Sequence, residues 1–189
     1  QALVRSSAAC GDAALAAAVM QWIDEHLGRH VEPQQIALEL GEMHERRRQA
    51  GRRDGIDFRT GPGGLIDIEF LVQSLVLRHR KAHPEIRQPS TAEAIRVLAK
   101  SSLIDRDDAL TLRTAYHFLR RVENRLSMMH RASIKAVPEE DASLRELAIR
   151  IGFEATLAGE PEDRLRVEMD VHTERVQEIF QRLQRDSID

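Results

Sequence analysis

The 189-residue chain has one cysteine, one tryptophan, one tyrosine and five phenylalanines. A lone Cys10 cannot close an internal disulfide, so it reads as a small apolar residue, and a reducing compartment, the cytoplasm, is expected. With so few aromatics, aliphatic side chains must fill the core. No apolar run approaches the roughly 20 residues that cross a bilayer, so no membrane segment is expected. The opening QALVRSSAAC has no cationic stretch leading into an apolar one, and no secretory leader is expected there. Charge of one sign is lacking too. The formal net charge of -3 gives no general field for nucleic acid, and no nucleic-acid partner is expected.

What is present points to helices. Hydrophobic residues make up 42% of the chain and charged residues 31%, which excludes a disordered tail and fits amphipathic elements. Apolar residues recur at helical spacing, and turn residues cut the pattern into about seven segments. The expectation is an all-α bundle, residues 1–189 forming a single helical domain. The first run follows Gly11 and Asp12 and closes near Gly28. A second begins at Pro33 and ends at Gly51. IDFRT, Ile56–Thr60, alternates well enough for one short extended segment. From Gly64 to about His83 the chain is apolar on two faces, the mark of a central helix. Ser90 and Glu93 have the spacing of a capping box. Asp105 caps a long helix with the stripe Leu112, Ala115, Leu119, Val122, Leu126 and Met129. A shorter helix follows around Leu144. The last helix turns Leu165, Met169, Val176, Ile179, Phe180 and Leu183 inward.

Five features carry candidate chemistry. GPGGLIDIEF, Gly61–Phe70, sets Asp67 and Glu69 in an apolar segment behind a glycine loop. As a strand it would place both acids on one face, about 7 Å apart, an arrangement that can hold divalent metal. As a helix, the favoured reading, it separates them by about 200°, with Asp67 in the first turn near the positive end of the dipole. A phosphate loop fits poorly, because Pro62 removes one donor and the Lys-Ser/Thr ending is absent. The pairs His26/His30 and His79/His83 have the spacing for a shared metal on a helix but lie near helix ends, where surface cations are expected. DRDD, Asp105–Asp108, reads as first-turn acids rather than a metal cluster. ERRRQAGRRD, Glu45–Asp54, reads as a solvated helix end or a site for an anionic partner. Arg121, Glu123 and Arg125 suit an ion-pair network on the long helix.

FRTGPGGLIDIEFLVQSLVLRH (Phe58–His79), AYHFLRRVENRLSMMH (Ala115–His130) and QALVR, taken together and in order, resemble the helical domain of bacterial glutamine synthetase adenylyltransferase, the adenylyl-removing enzyme. The string GxGGxxDIEF is kept as Gly61, Gly63, Gly64, Asp67, Ile68, Glu69 and Phe70, with Arg59 at a basic position before it. Ser7 replaces a second arginine after Arg5, and Pro62 stands where a basic residue is frequent. The resemblance implies an enzyme that attaches AMP to a tyrosine of glutamine synthetase and removes it by phosphorolysis, with Mg²⁺ and ATP as cofactors. It also implies glutamine synthetase, a PII-type signalling protein and a nucleotidyltransferase domain as partners. The Gly-Ser and Asp-x-Asp element of that catalytic domain is absent from these residues, so the fragment alone is expected to be inactive and to hold no cofactor. The implied roles are Arg5 and Arg59 as cations on the phosphate side, with Asp67 and Glu69 facing the active site. Two alternatives stay open: a regulatory, partner-binding helical module, or the similar helical domain of a PII uridylyltransferase.

Overall fold

The computed structural model describes residues 2–29, 42, 57–130, 137, 140–157 and 159–185. A 3₁₀ turn at Ala2–Arg5 is followed by α1 (Ala13–Arg29), α2 (Leu65–His79), a second 3₁₀ turn at Pro84–Ile86, α3 (Thr91–Lys100), α4 (Arg106–His130), α5 (Asp141–Ile151) and α6 (Pro161–Arg185). The fold is an all-α bundle with no strand among the described residues, and six of the expected helices are in view. The run from Pro33 to Gly51 lies, but for Glu42, outside the described residues.

Helix starts follow the capping side chains. Asp12 Oδ1 accepts the Leu15 amide at 2.8 Å, and Asp105 Oδ1 accepts that of Asp107 at 2.8 Å. Ser90 Oγ accepts the Glu93 amide, while the Glu93 carboxylate turns to Arg96 instead of completing a capping box. α2 stops at His79, earlier than the apolar pattern suggests, because Pro84 disfavours helix before it and the amides of Ala82 and His83 both turn back to His79 O. Gly152 ends α5 in the left-handed conformation, φ 107°.

The core is aliphatic. Leu112, Ala115, Leu119 and Val122 of α4 are fully buried, as are Leu144 and Leu147 of α5 and Leu165, Met169 and Val176 of α6. α2 packs against α3, α4 and α6, and α4 touches each of the other four helices that follow α1. This is why α2 is apolar on so much of its circumference. No helix among the described residues is long and apolar enough to cross a membrane. Cys10 is exposed and takes no part in the packing.

One expectation fails. The stretch read as extended, Ile56–Thr60, forms a tight turn over its described residues, Asp57–Thr60. The cause is the Asp57 carboxylate, which accepts the amides of Arg59 at 3.1 Å and Thr60 at 2.7 Å and the Thr60 hydroxyl. A side chain that bonds its own backbone two and three residues on bends the chain whatever the alternation of its neighbours.

Candidate functional site

The glycine–acid motif is built on that turn. Phe58, with no exposed surface, anchors it in the core. Gly61 N donates to Asp57 O at 3.1 Å and closes it. The turn then serves the helix: Phe58 O accepts Leu65 N and Arg59 O accepts Ile66 N, both at 3.0 Å. Gly64 N donates to Gly61 O at 3.0 Å, and Gly63 N to Asp67 Oδ2 at 2.7 Å. Every amide from Gly63 to Ile66, the donors that would cradle an oxyanion at a helix start, is therefore already taken. The segment is a closed hinge between turn and helix.

Glycine is required there by close approach. A Cβ on Gly61 would overlap the Asp57 carbonyl, and one on Gly64 would sit 2.8 Å from Phe58 O. Gly63 has φ +71°, and its Cβ would collide with the Thr173 carbonyl of α6. The loop is thus seated backbone to backbone on the last helix.

The two acids have separate surroundings. Asp67 is 4% exposed and turned back onto the loop. Glu69 meets Arg5 at 3.4 Å, and Arg5 Nε also donates to Pro89 O at 3.1 Å, which ties the first 3₁₀ turn to α2 and to the α3 approach. Arg59 pairs with Glu123 of α4, a buried carboxylate that also takes Arg120 at 2.6 Å. Arg5 and Arg59 keep just over a third of their side-chain surface and Glu69 just under a quarter, so two ion pairs border the start of α2 at the edge of solvent. Phe70 is half-buried beside them.

Other expected groups fall differently. The ion-pair network of the long helix uses Arg120 and Glu123, whereas Arg121 lies over the Phe118 ring, 5.8 Å from its centroid. Neither Arg121 nor Arg125 joins Glu123, because residues two apart on a helix diverge. The Arg59–Glu123 pair, 64 residues apart, has no signature in local spacing. His83 turns to Glu85 at 3.2 Å, and His26 stacks on Trp22 at 4.9 Å, with His30 outside the described residues. Asp108 bridges Arg182, and the basic run 45–54 lies outside the described residues.

These features define an all-α bundle whose central helix starts in a sealed glycine–acid turn rimmed by two ion pairs. A family model described as GlnD PII-uridylyltransferase matches residues 34–184. The chain belongs to that family. Among curated proteins it is similar to bifunctional glutamine synthetase adenylyltransferase/adenylyl-removing enzymes. That of Streptomyces avermitilis is 39% identical over 52% of this chain and 10% of the relative. Those of Mycobacterium bovis and Streptomyces coelicolor are 32% and 30% identical over 78% and 81% of the chain, and 15% and 16% of the relatives. The chain thus spans at most about a sixth of the length of these relatives.

Proposed function

We propose that this is the helical domain of an enzyme that adenylylates a tyrosine of glutamine synthetase and reverses the modification by phosphorolysis. In this reading the domain packs beside a nucleotidyltransferase domain and presents the start of α2 to it. The observation that carries the placement is the Arg5–Glu69 bridge, which joins the N-terminal turn to the glycine–acid motif while both partners stay partly in solvent. Glu69, Arg5 and Arg59 are the residues that would face the nucleotide side. Asp67, locked onto Gly63 N, shapes the loop that presents them.

Mg²⁺ and ATP fit the catalytic domain better than this one. Asp67 and Glu69 point to Gly63 and to Arg5 and form no shared donor set, and the amides at the start of α2 are spent on the turn. Adenylyl transfer is an in-line displacement whose charge is offset by metals and cations. Arg5 and Arg59 would contribute by exchanging a carboxylate for a phosphate. PII-type proteins are the proposed regulatory partners, glutamine synthetase the substrate and the cytoplasm the compartment.

The name of the matching family favours a second reading, uridylylation of a PII protein. The parent enzyme, given glutamine synthetase with ATP or a PII protein with UTP, distinguishes them by which protein gains nucleotide. Labelling of glutamine synthetase is expected. Glu69→Ala in that enzyme should lower AMP transfer and removal with the fold intact, and unchanged rates of both would remove Glu69 from the site.

A further inference from the structure

Most arginines described in this fold are spoken for. Arg5, Arg59, Arg87, Arg145, Arg150 and Arg166 each meet a carboxylate. The outward face of α4 is different. Arg106, Leu110, Arg113, His117 and Arg121 are all exposed, and at 100° per residue they fall within an arc of about 80°. Met128 continues the stripe; it is 71% exposed and Leu110 is 59% exposed. The acids of α4 stand elsewhere. Asp107 lies in the first turn off the stripe, Asp108 bridges Arg182, and Glu123 is buried between Arg59 and Arg120. Among the described residues no carboxylate pairs with Arg106, Arg113 or Arg121.

Shallow clefts run along both sides of the stripe. Between α3 and α4 a cleft of about 360 Å³ sets Arg96, Lys100, Arg106 and Arg113 around a floor that includes Ile95 and Leu110. Between α4 and α6 a cleft of about 450 Å³ holds Arg113, His117 and Arg121 over Phe118 and His172. Its single carboxylate, Glu168, is engaged by His172 at 3.3 Å. The Phe118 ring beneath the Arg121 guanidinium favours its position at the cleft edge.

We propose that this face of α4 docks an acidic amphipathic helix of a protein partner, with carboxylates about two turns apart and an aliphatic residue between them. At 1.5 Å per residue, Arg106, Arg113 and Arg121 are about 10 and 12 Å apart along the axis, too far for one phosphate to bridge. That interval is the repeat of a second helix lying alongside. Leu110, exposed between two of the cations, offers an apolar contact that a second helix can use and that neither a free anion nor a nucleic-acid backbone would. Nucleic acid is also disfavoured because no Trp, Tyr or Phe is exposed on this face to stack on a base, Tyr116 and Phe118 both being buried. Fixed positive charge of this kind speeds encounter and sets register, while the aliphatic contact holds the complex. The inference does not rest on which enzyme the domain serves.

The test uses this chain and a labelled synthetic helical peptide with glutamates seven residues apart flanking leucines, followed by fluorescence anisotropy. Binding should weaken about tenfold or more in Arg113→Glu/Arg121→Glu and recover when the peptide glutamates become lysines. Leu110→Ser should weaken it as well, and Arg150→Glu, which alters an already paired arginine on α5, should leave it unchanged. All of these positions are exposed, and circular dichroism checks that each variant folds. The proposal is overturned if the peptide does not bind, if the double reversal has no effect, or if a peptide of scrambled spacing binds equally well. Displacement of the peptide by equimolar inorganic phosphate or a short oligonucleotide would overturn it too, by assigning the stripe to a free anion or to nucleic acid.

Discussion

Gly63 carries the sharpest constraint on a single residue. Both its positive φ and the Thr173 carbonyl against it exclude a side chain. Gly63→Ala should destabilise the fold by about 3 kcal/mol or more, because left-handed strain and steric overlap combine. Gly152→Ala shares the positive φ but meets nothing within 4 Å, and should cost about 1–2 kcal/mol from backbone strain alone. Urea unfolding of the two variants checks the contrast. His172 gives the fold a pH dependence. Burial, chiefly, holds its pKa below the ordinary 6.5; Glu168 opposes that, and Arg175 and Arg121 add to the lowering. The unfolded ring therefore binds a proton more readily than the native one. Its contribution is complete above pH 6.5 and is lost as pH falls through the lower native value. His79, also lowered mainly by burial, acts in the same direction. Unfolding measured at about pH 7 and about pH 5.5 should show a smaller loss in His172→Gln than in the parent chain.

At the scale of elements, the caps decide where helices begin. Ser90→Ala removes the side-chain acceptor for Glu93 N and should cost about 1 kcal/mol, read as a lower thermal midpoint with unchanged helix content. The same local chemistry explains what is legible in the sequence. Asp12, Ser90 and Asp105 announced their helices, and the α4 and α6 stripes identified the buried Leu112, Leu119, Leu165 and Met169 correctly. The turn at Asp57 is hidden in the sequence by an alternation that suggests extended chain, although a carboxylate able to fold back stands at its start. The partner of Arg59 was illegible for a different reason. Glu123 reaches it only because α2 and α4 pack together, and nothing within one helical repeat encodes that meeting. Asp67 is legible as a first-turn acid, yet the destination of its carboxylate, the Gly63 amide, is not.

At the scale of the whole molecule, a net charge of -3 concealed an uneven distribution. Among the described residues the arginines of α3 and α5 are paired, whereas Arg106, Arg113 and Arg121 along the outer face of α4 meet no carboxylate. Composition reports the sum and not its placement, so the basic stripe emerges only when α4 is seen between α3 and α6. The loop that starts α2 is bounded in the same non-local way. Its inner contacts come from residues 57–67, but its seat is Thr173, more than a hundred residues later. That separation sets an order of assembly. A growing chain can form the Asp57 turn early, yet it has nothing to rest on until α6 has been made and has folded back. A contact absent from the folding transition state changes mainly the unfolding rate when weakened, and that is the expectation for Gly63→Ala in stopped-flow kinetics. The loop that would face a catalytic neighbour is thus completed by α6, and it takes its final shape only once the rest of the bundle is in place.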